Sequence, residues 1–140
     1  MRILHTMIRV GDLQRSIDFY TQVLGMRLLR KTDYPSGRFT NVFVGYDEES
    51  KTAVLELTHN WEPEPYPGGR NFGHLAYAVD DIYAACERLQ KHGVTINRPP
   101  RDGRMAFVRS PDNISIELLQ KDGALPPREP WVSMANTGSW

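Results

Sequence analysis

A chain of 140 residues, 40% hydrophobic and 24% charged, has room for one compact domain or for two small halves sharing a core. Its 17 basic and 17 acidic side chains cancel, which argues against non-specific binding to nucleic acid or membrane as the main task. No apolar run approaches a membrane span, the N-terminal stretch lacks the apolar core of a secretory signal, and the single cysteine, Cys86, permits no internal disulfide, so a cytoplasmic protein is expected.

Residues 3–10 alternate as a strand does. Asp12 is an N-cap for a helix through about Leu24, whose apolar stripe is Leu13, Ile17, Tyr20 and Leu24, with Gly25 closing it. Met26–Lys31, Phe39–Tyr46 and Thr52–His59 read as strands, separated by Pro35-Ser36-Gly37 and by the polar stretch 47–51. The first module, residues 1–60, is thus βαβββ. A linker rich in Pro and Gly, 61–71, leads to a second module, 72–120, in the same order: a strand Phe72–Val79, then a helix capped by Asp81 and ended by Gly93. Candidate strands Val94–Asn97, Met105–Arg109 and Ile114–Gln120 follow, the last after the turn Pro111-Asp112-Asn113. In the tail, 121–140, three prolines and two glycines preclude a continuous helix or strand. The pattern leaves open whether the tail packs through Trp131 and Trp140 or stays disordered.

The two modules repeat a chemical pattern. Leu4-His5-Thr6-Met7-Ile8-Arg9-Val10 before Gly11-Asp12 matches Gly73-His74-Leu75-Ala76-Tyr77-Ala78-Val79 before Asp80-Asp81. Val54-Leu55-Glu56-Leu57-Thr58 matches Ser115-Ile116-Glu117-Leu118-Leu119. Each module therefore opens on a His-bearing strand and closes on a Glu-bearing one. Glu is depleted in strands and costly to bury unpaired, so core packing has no use for it there. A lone His is usually structural, and two buried His–Glu ion pairs are the bland alternative. The repetition favours one divalent metal held by His5, Glu56, His74 and Glu117, a mixed nitrogen and oxygen set suited with added waters to nickel, cobalt or zinc. By alternation His59 faces away from Glu56, His92 is exposed before Gly93, and Cys86 sits on an apolar helix stripe as core. Arg9 and Asn60 lie on the ligand faces, Arg70 precedes His74, and Arg98, Arg101 and Arg104 cluster. Arginines near a metal suit an anionic substrate, and surface charge is the plainer reading for Arg101 and Arg104.

Over residues 2–120 these motifs resemble glyoxalase I (lactoylglutathione lyase), of the vicinal oxygen chelate superfamily. The matching stretches are Leu4–Ser16 with Asp18–Gly25, Val54–Trp61, Phe72–Val79, Met105–Val108 and Ile116–Leu119. The resemblance implies an α+β fold of paired βαβββ modules, assembled as a homodimer with metal sites between subunits. It implies isomerisation of the methylglyoxal–glutathione hemithioacetal to S-D-lactoylglutathione, with glutathione as cosubstrate. It makes His5, Glu56, His74 and Glu117 the metal ligands, and Glu56 and Glu117 the proton-shuttling carboxylates. Arg9, Asn60 and Arg70 match residues holding the glutamyl end of glutathione, and Arg98 falls where a basic residue meets the glycyl carboxylate. Tyr34, Phe43, Met105 and Phe107 fall in the apolar pocket facing the acyl group. The compact chain resembles the group activated by nickel or cobalt more than by zinc. Two departures stand out: a shortened segment near Met105, and Ser110-Pro111-Asp112-Asn113 in place of Asp-Pro-Asp-Gly. Some relatives with a similar gap use a trypanothione-type thiol. The competing readings on this fold are a drug- or metabolite-binding protein without the full metal set, and an extradiol dioxygenase or epimerase.

Overall fold

The computed structural model describes residues 1–140. The chain divides into two compact units, Met1–Pro67 and Gly68–Trp140. The architecture is α+β, with one mixed sheet in each unit.

In the first unit, β1 (His5–Arg9) leads through α1 (Leu13–Asp18) to β2 (Arg27–Tyr34), β3 (Phe39–Gly45) and β4 (Val54–Asn60). The sheet order is β1-β4-β3-β2, with β1 parallel to β4 and the other pairs antiparallel. Asp12 caps α1, its carboxylate accepting from the Arg15 N–H at 3.0 Å. The expected single helix through Leu24 is only partly regular. From Phe19 to Val23 it widens into a π turn, the Leu24 N–H reaching the Phe19 carbonyl at 3.0 Å. The wider turn turns Phe19 and Val23 inward beside Tyr20 and Leu24, so all four are buried. Gly25 then takes a φ of +75°, which ends the helix. On the sheet, alternation sends Ile8, Val10, Val42, Val44, Leu55 and Leu57 into the core.

The second unit contains β5 (Leu75–Val79), α2 (Ile82–Lys91), β6 (Met105–Arg109) and β7 (Ser115–Gln120), in sheet order β5-β7-β6. Here β5 runs parallel to β7, and β6 antiparallel to it. Asp81 caps α2 by accepting from the N–H groups of Tyr83 and Ala84. Ile82, Cys86, Leu89, Ala106, Val108, Ile116 and Leu118 form the core. Two expectations change. The strand begins at Leu75 rather than Phe72, because its partner β7 begins at Ser115, which in this register lies opposite His74, so nothing is left to pair with Phe72 or Gly73. Val94–Asn97 is no strand. It ends in one bridge, Arg98 to Phe107, and Pro99 and Pro100 lack the N–H groups that would extend the ladder. Asn113 adopts a φ of +64°, a conformation that glycine takes freely and that Asn tolerates, so it can stand in the glycine position of that turn.

The tail is packed on the second unit. Trp131 is buried and stacks on Tyr83, ring centroids 6.4 Å apart and 18° between planes. The Leu125 N–H donates to the Gly103 carbonyl at 3.0 Å, and a Cβ on Gly103 would collide with the Leu125 carbonyl. Trp131→Ala is expected to destabilise the protein by about 3–5 kcal/mol, read from urea unfolding, because it removes a large buried ring. Trp131→Phe should lose less: it keeps most of the stack and removes an indole N–H that has no acceptor. Equal stability of Trp131→Ala and the parent would show that the Trp131 ring contributes nothing.

Candidate metal centre

The repeat written in the sequence becomes a repeat in space. In β1, His5 lies opposite Val54, two residues before Glu56 on the parallel neighbour. In the second unit, Ala76 lies opposite Glu117, so His74 precedes the rung pattern by the same offset. Each imidazole thereby reaches its glutamate diagonally across one parallel pair. The His5 Nε2 to Glu56 Oε2 distance is 3.0 Å, and so is that from His74 Nε2 to Glu117 Oε2. The aromatic support repeats as well. His5 meets Phe43 edge-on, and His74 meets Phe107 edge-on, both with centroids 5.5 Å apart and planes at 86°. Phe43 and Phe107 reach these rings because each pairs directly with the glutamate in the antiparallel ladder.

The imidazoles are 40% and 42% exposed, the carboxylates 12% and 13%. A His–Glu pair with so open a partner stabilises a fold by about 0–1 kcal/mol. That is little return for a glutamate in the middle of an apolar strand, so stability alone does not account for the arrangement. The donor chemistry fits a divalent ion. Two adjacent donors of an octahedral ion, each about 2.1 Å from it, lie about 3.0 Å apart, which is the spacing in both units. Neither unit by itself groups three His, Cys, Asp or Glu side chains fit to hold a metal.

The two carboxylates differ in their second oxygen. Glu56 Oε1 accepts from Asn41 Nδ2 at 2.7 Å and from the Thr58 hydroxyl at 3.2 Å. Thr58 also donates to Asn41 Oδ1 at 3.2 Å, closing a small network. In the second sheet the matching rung is Met105 against Leu119, where the first has Asn41 against Thr58. No amide or hydroxyl stands there to hold Glu117. Asn41 escaped the sequence reading, although an amide between Thr40 and Val42 in a strand that is otherwise largely apolar was a visible signal.

The residues read as substrate contacts are distributed as follows. Arg9 is exposed at the end of β1, on the His5 face. Asn60, at the end of β4, lines an open cleft of about 380 Å³ with Gly37, Arg38, Glu62, Pro63 and Glu64. Its amide donates to Glu64 Oε1 at 2.6 Å, so it is already paired with a carboxylate of the chain. Arg70 is exposed in the irregular segment that opens the second unit, so these three are not gathered within one unit. Arg98 is engaged in its own connection, pairing with Asp102 at 3.0 Å and donating to the Met105 carbonyl. Tyr34 is half-exposed and stacks on Phe39 at 4.7 Å. Phe43 is buried beneath the Arg30 guanidinium, 3.4 Å from the ring centre, while Met105 and Phe107 are partly open on β6. Of the residues set aside, His59 Nδ1 bonds the Val10 carbonyl at 3.2 Å, and His92 caps α2. Burial pushes the Cys86 thiol up to about 12, which makes it unreactive.

The family described as the glyoxalase/bleomycin resistance protein/dioxygenase superfamily matches residues 2–118. A lactoylglutathione lyase of Neisseria meningitidis serogroup A is 54% identical over 126 residues, covering 86% of this chain and 91% of its own. A lactoylglutathione lyase of Escherichia coli O157:H7 is 48% identical over 129 residues, covering 89% and 96%. Among solved structures, the trypanothione-dependent glyoxalase I of Leishmania major has a TM-score of 0.83 at 48% identity, covering 86% of this chain and 87% of that one.

Proposed function

The chain belongs to the glyoxalase/bleomycin resistance protein/dioxygenase superfamily, and from that premise we propose that it is a metal-dependent carbon–sulfur lyase of the lactoylglutathione lyase type. It converts the methylglyoxal–glutathione hemithioacetal to S-D-lactoylglutathione. The observation that carries this reading is 54% identity with a lactoylglutathione lyase across 86% of the chain. The duplicated His–Glu pairs supply the matching chemistry.

His5, Glu56, His74 and Glu117 hold one divalent metal, two donors coming from each of two units. The two units that face each other belong to different copies of the chain, so the protein is a homodimer with two equivalent sites. A bound divalent ion supplies positive charge that stabilises the negative charge developing on the adjacent oxygens of the adduct. Glu117 takes the proton from C1 and returns it to C2. One C–H bond breaks at C1 and one forms at C2, while the hydroxyl proton passes from the C1 oxygen to the C2 oxygen, so no oxidant or external nucleophile is required. Arg9, Asn60 and Arg70 bind the glutamyl end of the thiol and Arg98 its glycyl carboxylate. Arg98 does so by exchanging Asp102 for the substrate, as Asn60 exchanges Glu64. Tyr34, Phe43, Met105 and Phe107 surround the acyl group. No helix is long and apolar enough to cross a membrane, and the reaction suits the cytoplasm, where glutathione is abundant and the lone Cys86 stays reduced.

Two His and two Glu would hold a divalent ion through a mixed nitrogen and oxygen set, a donor chemistry that suits nickel or cobalt at least as well as zinc. Protein stripped by chelator should form no thioester from methylglyoxal and glutathione, and nickel or cobalt should restore more activity than zinc. Full activity with zinc and little with nickel overturns the metal assignment; no thioester with any ion from either the glutathione or the trypanothione adduct overturns the lyase. A second reading concerns the thiol alone. The Leishmania major relative is described as trypanothione-dependent, and parallel assays with the two thiol adducts decide between them by kcat/KM.

A further inference from the structure

The tail does more than pack. Beyond Trp131 it is fastened along the second unit by a series of polar contacts. Arg101 donates to the Met134 carbonyl and to Asn136 Oδ1, both at 2.8 Å. Asn97 and Thr137 exchange two hydrogen bonds, at 2.8 and 2.9 Å. Arg109 Nε donates to the Ser139 carbonyl at 2.8 Å. Arg109 lies on β6 two residues from Phe107, so by alternation both share the face that carries Glu117. The outcome is that the Trp140 indole lies 6.2 Å from the Phe107 ring, tilted by 33°, and Phe107 in turn abuts His74. Ser115, opposite Arg109 in the ladder, is too small to wall this end of the face.

We propose that Trp140 is a specificity-determining residue, the outer wall of the acyl pocket, which selects adducts of 2-oxoaldehydes carrying bulky or aromatic groups. This rests on the lyase reading above. The order of the rings gives the selectivity. Phe107 lies next to His74 and is within reach of a small acyl group, whereas Trp140 lies one ring further out and meets only a larger one. A flat apolar indole is a stacking partner for an aryl group and offers little to a methyl. The tail's own anchors hold the indole in place before substrate arrives, so little ordering cost is added on binding.

The test compares the glutathione adducts of phenylglyoxal and methylglyoxal in the metal-loaded wild type, Trp140→Ala and Trp140→Phe. Trp140→Ala should lower the ratio of kcat/KM for the phenyl adduct over the methyl adduct by about fivefold, the scale of one aromatic contact. The change should appear mainly in KM, and Trp140→Phe should restore most of it. An independent reading uses S-benzylglutathione, which cannot react: its Kd should rise about fivefold in Trp140→Ala, with loss of part of the tryptophan fluorescence change. A ratio and a Kd equal to wild type in Trp140→Ala overturn the role of Trp140 and leave the lyase standing. A wild type that turns over neither adduct overturns the glutathione-dependent lyase, and the S-benzylglutathione comparison then still decides whether Trp140 contacts an aryl ligand.

Discussion

Glu117→Gln is expected to fold normally and to lose isomerisation by roughly a hundredfold or more, since a positioned general base contributes about 10²–10⁴. The amide is nearly the size of the carboxylate, and the pair it gives up with the open His74 contributes only about 0–1 kcal/mol, so the fold has little to lose. The expected loss is larger than a removed metal ligand alone would give, because the two glutamates are not equivalent. Glu56 is held on its far oxygen by Asn41 and Thr58. Glu117 has Met105 and Leu119 at the corresponding places, where no amide or hydroxyl restrains it, which favours it as the proposed base. Glu56→Gln should accordingly show itself first as faster metal loss on dialysis, while Glu117→Gln loses metal more slowly than Glu56→Gln and fails in turnover even when metal is bound. Near-normal kcat in Glu117→Gln removes it from the role of base.

The parts legible in the sequence were those governed by a short repeat. Period-two alternation placed His5, Glu56 and Glu117 on the open faces of their sheets, because Ile8, Leu57 and Ile116 have nowhere to go but the core. Asp12 and Asp81 announced both helices through the caps they make. What escaped depends on contacts between residues far apart in the chain. The π turn at Phe19–Val23 hid because Phe19, Tyr20, Val23 and Leu24 are all apolar, so a regular helix with a broad stripe explained them equally well. Val94–Asn97 has strand composition, yet the prolines behind it and the Thr137 bond to the Asn97 carbonyl give its backbone other partners. The tail could not be placed at all from its composition. Its position follows from Gly103, Arg101 and Arg109, none of which carries a local signal for what it will hold. The distance of 3.0 Å between each His and its Glu was likewise beyond a pattern that gives faces and not separations.

Mixing two inactive variants, His5→Ala and His74→Ala, should restore activity. Each unit offers one His and one Glu, and two donors hold a divalent ion too weakly for a working site. If the first unit of one copy faces the second unit of another, a twofold axis makes both sites alike, and each draws on both chains. In a mixed dimer one site then receives both substitutions and the other receives neither. With equal amounts and free exchange, half of the dimers are mixed and each carries one intact site, so about a quarter of wild-type activity returns. Each variant alone should be inactive, since every site in it lacks one imidazole. The substitutions are mild for the fold, because both imidazoles are about two-fifths exposed. Exchange is verified by mass-tagging one variant and detecting the mixed dimer. If mixed dimers form and activity stays at the level of either variant, each copy completes its site from its own two units, and the shared-site dimer is wrong. If neither variant loses activity alone, His5 and His74 are not ligands, and the plain reading of two structural His–Glu pairs takes their place.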